Sequence, residues 1–310
     1  MNQYVLRTNN LYKKYKEDYV LDDVNVEIKK GEIYGFIGQN GAGKTTLLRI
    51  VTGLAFPTKG DIELFGKSRE KDLMQSIKRI GAVIESPALF PNMTAYENLE
   101  LHRLQKGIPN KKSIEKTLEL VGLQNTGRKK VVNFSLGMKQ RLGIAIALLS
   151  DPEFLILDEP TNGLDPMGIV ELRELIKRLN REKEMTVLIS SHILSELNQL
   201  ATRYGIIHKG KLLEQITASE LNKKCRQYLR IKVDNPSKAA TVIETELDTT
   251  DFEVMPDGTI KLYSYFNDIN DIQKVSMTIT KNRLIIEQFS QMGDDLEGYF
   301  TKLVGGVNND

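Results

Sequence analysis

Short apolar runs alternate with stretches of helical periodicity over the first two-thirds of the chain. Glu32–Ile37 reads as a strand that leads through a cluster of glycines into a helix. That helix carries Leu47, Leu48, Ile50 and Val51 and is stopped by Gly53. Phe154–Leu157 is an unbroken apolar run, and Thr186–Ile189 is another of the same kind. Strands of this type are buried on both faces, as in a parallel sheet. Strand, glycine loop, helix and further buried strands predict an α/β domain on a largely parallel sheet. Between about residues 86 and 150 the pattern turns helical, with Ala95–Lys106 and Ile114–Val121 each gathering apolar positions on one side. This predicts a helical subdomain inserted into the α/β core.

The pattern changes after about Glu214. Tyr228–Val233 alternates, with Leu229, Ile231 and Val233 on one face, and Pro236-Ser237 opens a helix carrying Ala239, Ile243 and Leu247. Phe252–Met255 and Thr259–Tyr265 flank a Pro256-Asp257-Gly258 turn and read as a hairpin. Ile269, Ile272, Val275 and Ile279 mark a further helix, and Leu284–Ile286 a last strand. The order β-α-β-β-α-β predicts a small α+β domain of ferredoxin-like type. The expected division is therefore 1–215 for the α/β domain and 216–310 for an accessory domain.

Composition narrows the class without choosing a function. The 310 residues, 40% hydrophobic and 27% charged, suit two globular domains. Lys and Arg number 43 against 41 Asp and Glu, a net charge of +2, so no global excess points to nucleic acid and none is expected as a partner. Cys225 is the only cysteine, which rules out an intrachain disulfide and a cysteine-based zinc site. Met1-Asn2-Gln3-Tyr4 lacks the basic-then-apolar pattern of a secretion signal. The longest apolar candidate, Leu142–Leu149, falls well short of the ~18 residues a spanning helix needs. If the chain serves a membrane, another chain supplies the membrane part.

The chemistry is concentrated in a few motifs. Gly38-Gln39-Asn40-Gly41-Ala42-Gly43-Lys44-Thr45, followed by Thr46, fits G-x-x-x-x-G-K-[ST], after a strand and at the start of a helix. Glycines let consecutive backbone N–H groups point at phosphate oxygens, and the helix N-terminus adds positive potential. Lys44 is then expected on the β- and γ-phosphates of ATP and the Thr45 hydroxyl on Mg²⁺. Phe154–Leu157 ends in Asp158-Glu159. Neighbours along a strand point to opposite faces, so the two acids should differ in role. Asp158 is expected on Mg²⁺, and Glu159 as general base for the attacking water. A glycine-rich turn or two acids at a strand end would mean little alone; together and in this order they define a P-loop NTPase.

Phe134-Ser135-Leu136-Gly137-Met138-Lys139-Gln140-Arg141 resembles the L-S-G-G-Q signature of ABC ATPases. Asn162-Gly163-Leu164-Asp165 looks like that family's D-loop, with Asp165-Pro166 also a good helix start. Ser191-His192 is similar to its switch histidine, and Tyr15 matches its adenine-stacking aromatic. Tyr12 is the nearest competitor, and a core tyrosine the plain alternative. The resemblance spans about residues 3 to 215. It implies two cassettes, most simply a homodimer, sandwiching two ATP molecules. Ser135 and Gly137 of one copy would donate to the γ-phosphate held by the other, and closure would drive a separate permease subunit. The expected location is cytoplasmic, peripheral on the inner face of the cell membrane. The alternative is a soluble ATPase of the family, or an ATP-sensing module without transport.

Two departures stand out. Glu85 follows Ile80–Ile84 where most members of the family carry glutamine, and Leu136 and Met138 replace the signature's first glycine and its glutamine. A bare carboxylate beside triphosphate would be costly without a compensating metal, so Glu85 is expected as a direct Mg²⁺ ligand. Together these departures are similar to the bacitracin- and lantibiotic-type exporters, which implies antimicrobial peptides as cargo.

Overall fold

A computed structural model describes residues 3–68, 70–225, 227–265, 269–293 and 296–306; Met1 and Asn2 lie outside them. The chain forms two compact units, Met1–Ala218 and Ser219–Asp310.

The first unit opens with β1 (Tyr4–Tyr15), β2 (Asp18–Val24), β3 (Glu27–Lys29), β4 (Ile33–Ile37), α1 (Lys44–Val51) and β5 (Lys59–Leu64). There follow α2 (Glu70–Ile77), β6 (Ile80–Val83), α3 (Ala95–Gln105), α4 (Lys112–Leu120), α5 (Leu136–Leu148) and β7 (Phe154–Leu157). Next come α6 (Pro166–Lys183), β8 (Thr186–Ser191), α7 (Leu194–Leu197), β9 (Arg203–His208), β10 (Lys211–Thr217) and α8 (Ala218–Lys224), which begins at the unit's last residue. β1 pairs antiparallel with β2, β3 and β5 in a small sheet. The main sheet has the order β10-β9-β4-β8-β7-β6, parallel throughout except for the antiparallel β9–β10 hairpin. Every residue of β4, β7 and β8 is buried, as their unbroken apolar runs require. α1 buries Leu47, Leu48, Ile50 and Val51 in one cluster with Leu21 and Val24 of β2 and Phe36 of β4. Each such side chain contributes about 1.5–3 kcal/mol of burial free energy, which pins the phosphate loop between two anchored elements. α3, α4 and α5 fill the span read as helical, with Thr94 and Glu97 closing α3 in a reciprocal capping box.

β8 runs two residues beyond the apolar segment that marks it in the sequence, because Ser190 and Ser191 are buried and hydrogen-bonded rather than solvated. Tyr34 of β4 is also fully buried, and its hydroxyl donates to Gln215 Oε1 at 2.8 Å. Burial holds the Tyr34 phenol well above its usual range, so it stays a donor. A Cβ on Gly205 of β9 would lie 2.1 Å from this hydroxyl oxygen. Gly205→Ala is therefore expected to destabilise the first unit by about 1–3 kcal/mol, read as a lowered urea midpoint.

The second unit runs β11 (Tyr228–Val233), α9 (Pro236–Glu246), β12 (Phe252–Val254), β13 (Ile260–Leu262), α10 (Ile269–Lys281), β14 (Ile286–Met292) and α11 (Leu296–Gly306). Its antiparallel sheet has the order β12-β13-β11-β14, the split β-α-β arrangement of a ferredoxin-like fold. Leu229, Ile231 and Val233 share a core with Ala239, Ile243, Val275 and Ile279 of the two helices. Gly258 N–H donates to the Met255 carbonyl and Met255 N–H to the Thr259 carbonyl, closing the hairpin at Pro256-Asp257-Gly258. The last strand needs correction: Leu284 closes the turn after α10, its N–H donating to the Ile279 carbonyl, and β14 begins at Ile286.

Candidate functional site

Because β4, β8, β7 and β6 are parallel neighbours, their carboxyl ends emerge side by side. The phosphate loop follows β4, His192 follows β8, Asp158-Glu159 follows β7, and Glu85 follows β6. Crevices at such strand ends are where open α/β sheets bind ligands.

The loop from Gly38 to Gly43 can exist only with glycine at its ends. A Cβ at Gly38 would stand 2.5 Å from the Ile207 carbonyl oxygen, and one at Gly43 2.6 Å from that of Val20. Gly43 also has φ 109°, a left-handed conformation, and caps α1 without a side chain. Gly210, in the β9–β10 turn, donates its N–H to the Ala42 carbonyl at 3.0 Å and braces the loop from behind. Gly41, Gly43, Asn40, Lys44, Thr45 and Thr46 line a cavity of 160 Å³ together with Val20 and Glu159.

Lys44 is the cation at the floor of that cavity, only 5% exposed. Its Nζ donates to the carbonyls of Gly38 at 2.6 Å and Gln39 at 3.2 Å, and pairs with Glu159 Oε1 at 3.1 Å. Glu159 Oε2 meets His192 Nδ1 at 3.1 Å, so one carboxylate joins Lys44 to His192. Glu159 itself sits at φ 45°, which turns its side chain out of the strand direction towards the loop. Asp158 takes different partners. Thr45 Oγ1 donates to its Oδ2 at 2.8 Å and Ser190 Oγ to its Oδ1 at 2.6 Å, while Ser190 Oγ accepts the Glu159 N–H at 2.8 Å. The Thr45 hydroxyl and Asp158 carboxylate are thus adjacent hard oxygen donors, the set a small divalent cation requires when phosphate supplies the rest. Among the described residues no group of three His, Cys, Asp or Glu side chains is arranged as a metal site by itself.

Other residues singled out from the sequence are not among those lining this cavity. Ser135 caps α5, accepting the Met138 N–H at 3.2 Å, and Gly137 lies in the first turn, where N–H groups have no intrahelical partner. Asp165 caps α6 through the Gly168 N–H at 2.8 Å. Leu136 packs over Gly163, where a Cβ would be 3.0 Å from Leu136 Cδ2, and Leu164 lies over Gly137. The large residue at the signature's glycine position therefore lies against the D-loop of the same chain. Tyr15 is exposed at the end of β1 with Lys13 Nζ 4.8 Å from its ring, whereas Tyr12 is engaged edge-on by Tyr19.

Glu85 is not bare. It is ion-paired with Arg49 at the end of α1, the two being 61% and 42% exposed. A guanidinium already compensates the carboxylate, which removes the premise that only a metal could do so. Arg49, Ser190, Thr161 and Glu196 were not picked out from the sequence. The signal for Ser190 was two hydroxyls at the end of a buried strand, each of which must find a partner.

Residues 21–162 match the family described as ABC transporter. The chain is 46% identical over 302 residues to the bacitracin transport ATP-binding protein BcrA of Bacillus licheniformis, covering 97% of this chain and 98% of that protein. To the lantibiotic transport ATP-binding protein SrtF of Streptococcus pyogenes it is 46% identical over 209 residues, 67% of this chain and 89% of the other. Among solved structures, cbiO1 of Clostridium perfringens, part of the transporter complex cbiONQ, superposes with a TM-score of 0.66 at 28% identity, covering 72% of this chain and 92% of that one. The cassette MJ0796, solved as a post-hydrolysis dimer with ADP and phosphate, gives 0.62 at 28% identity, covering 69% and 98%. A P-loop ATPase cassette is the class that fold and site define. The chain belongs to the ATP-binding proteins of ABC transporters, and its activity is ATP hydrolysis.

Proposed function

We propose that this chain powers a permease that expels antimicrobial peptides, acting as a dimer of cassettes on the inner face of the cell membrane. The observation that carries the mechanism is the run of contacts from Lys44 through Glu159 to His192, beside the Thr45–Asp158 pair. In this reading triphosphate displaces Glu159 as the counter-charge of Lys44, while loop N–H groups and the N-terminus of α1 hold phosphate oxygens. Glu159, still held by His192, then accepts a proton from the water that attacks the γ-phosphate. Thr45 and Asp158 would hold Mg²⁺, which when bound neutralises phosphate charge and polarises the phosphoryl group. Tyr15 stacks on adenine. Ser135, Gly137 and Asp165 complete the site of the second copy, and the C-terminal unit is an accessory domain.

Glu85 joins the metal ligands only by exchanging Arg49 for the cation. Glu85→Gln is then expected to raise the Mg²⁺ concentration for half-maximal turnover roughly threefold or more. Unchanged Mg²⁺ dependence assigns Glu85 to its ion pair alone.

The cargo class is supported by the relatives named for bacitracin and lantibiotic transport, BcrA matching nearly the whole chain. No described helix is long and apolar enough to cross a membrane. Leu54 and Phe56, 70% and 78% exposed just past Arg49, offer apolar contacts to a membrane subunit. Removing the chain from its host should lower the inhibitory concentrations of bacitracin and lantibiotics, restored by the parent and not by Glu159→Gln. Unaltered sensitivity to both classes, with ATPase activity intact in the purified chain, would dismiss the cargo and keep the enzyme.

A further inference from the structure

The parallel ladder between β7 and β8 ends at Leu157 opposite Ile189. Glu159 and His192 both lie beyond it, so among the described residues no β7–β8 ladder hydrogen bond fixes one loop against the other. Ser190 Oγ at the end of β8 holds the Glu159 N–H, and a carboxylate outside the nucleotide cavity adds a second tie further along both loops. Glu196 Oε2 accepts from Thr161 Oγ1 at 2.7 Å and from Ser191 Oγ at 3.1 Å, with the Ile193 carbonyl an alternative acceptor for Ser191 at 3.1 Å. Thr161 belongs to the loop of Glu159, and Ser191 directly precedes His192. Ser191 Oγ also accepts the Ile193 N–H at 2.9 Å, which tightens the turn that presents His192. Thr161 and Ser191 are 9% and 2% exposed, so water is a poor substitute for the carboxylate. Glu196 is itself held by α7, whose Leu194 and Leu197 are buried.

We infer that Glu196 is a positioning residue for hydrolysis. It clamps the loop carrying Glu159 to the loop carrying His192, and so sets the distance between those two side chains. Three ties then hold the catalytic pair: the direct Glu159–His192 contact, the Ser190 hydroxyl that accepts the Glu159 N–H, and Thr161–Glu196–Ser191 behind them. Glu196 touches none of the loop residues that hold phosphate, so its loss acts on turnover and spares nucleotide binding. The inference rests on Glu159 being the base.

The test uses the full chain, with steady-state ATPase measurements beside equilibrium binding of a fluorescent ATP analogue. Glu196→Ala is expected to lower kcat about 10- to 100-fold and to leave affinity within about threefold of the parent. Glu196→Gln keeps an acceptor oxygen and should recover kcat to within about threefold of the parent. Thr161→Val removes one hydroxyl at constant shape and should lower kcat about threefold or more; combined with Glu196→Ala it should cost nothing further, because both cut the same bond. Should Glu196→Ala be too unstable to purify, Thr161→Val carries the test, and parental kcat there overturns the clamp. So do losses that multiply in the double variant, or affinity and melting temperature falling in step with kcat, which describe a purely structural staple. Turnover that survives Glu159→Gln removes the reading of Glu159 and the clamp with it. A dead Glu159→Gln beside a fully active Glu196→Ala removes the clamp alone.

Discussion

Glu159→Gln is expected to reduce ATP hydrolysis about 10²- to 10⁴-fold, the range that loss of a positioned general base produces. The amide fills the same space and still reaches His192, but it cannot accept the proton of the attacking water. Binding should move the other way. Glu159 is the counter-charge of Lys44 at 3.1 Å, so triphosphate has to compete with it. A neutral side chain removes that competitor, and ATP affinity is expected to hold or increase. The variant should therefore accumulate as an ATP-bound dimer, since binding proceeds and the step that resets it does not. Phosphate release, equilibrium binding and sedimentation read these three consequences separately. Residual turnover within tenfold of the parent would assign the base elsewhere.

The parts of the site that could be read from the chain are those in which residue type and backbone geometry are locked together. A phosphate loop needs glycine where Val20 and Ile207 crowd Gly43 and Gly38, so its spacing is visible in any one sequence. Adjacent carboxylates at a strand end must diverge, and Asp158 and Glu159 do take separate partners. Partners brought in from afar left no such trace. Arg49 meets Glu85, and Glu196 meets Thr161, only because the fold brings α1 to the residues after β6 and α7 to the residues after β7, and nothing local to either sequence position announces it. The same limit applies in the second unit. The Pro256-Asp257-Gly258 turn advertised its hairpin, but β14 begins at Ile286, the last residue of the apolar run Leu284–Ile286, and Gln288 and Gln291 within β14 break the alternation that would have marked the strand.

Lys44→Ala is expected to weaken ATP binding by about 2–5 kcal/mol, the usual cost of truncating one member of a buried charge pair. That corresponds to roughly thirty- to several-thousand-fold in affinity, and turnover should vanish at any ATP concentration near the parental KM. Arginine is not expected to rescue, because the Nζ pocket is formed by the Gly38 and Gln39 carbonyls and Glu159 around a compact ammonium. The loss has two separable sources. One is the missing attraction between Lys44 and phosphate; the other is repulsion from Glu159, left at the cavity wall without its counter-charge. Lys44→Ala with Glu159→Gln removes the second source and keeps the first. The double variant should therefore bind ATP more tightly than Lys44→Ala alone, although neither hydrolyses it. Isothermal titration of the four members of this cycle measures the difference. Equal affinities for the single and double variants would mean that Glu159 has turned away from the phosphates before nucleotide arrives, and that Lys44 reaches them without a competitor.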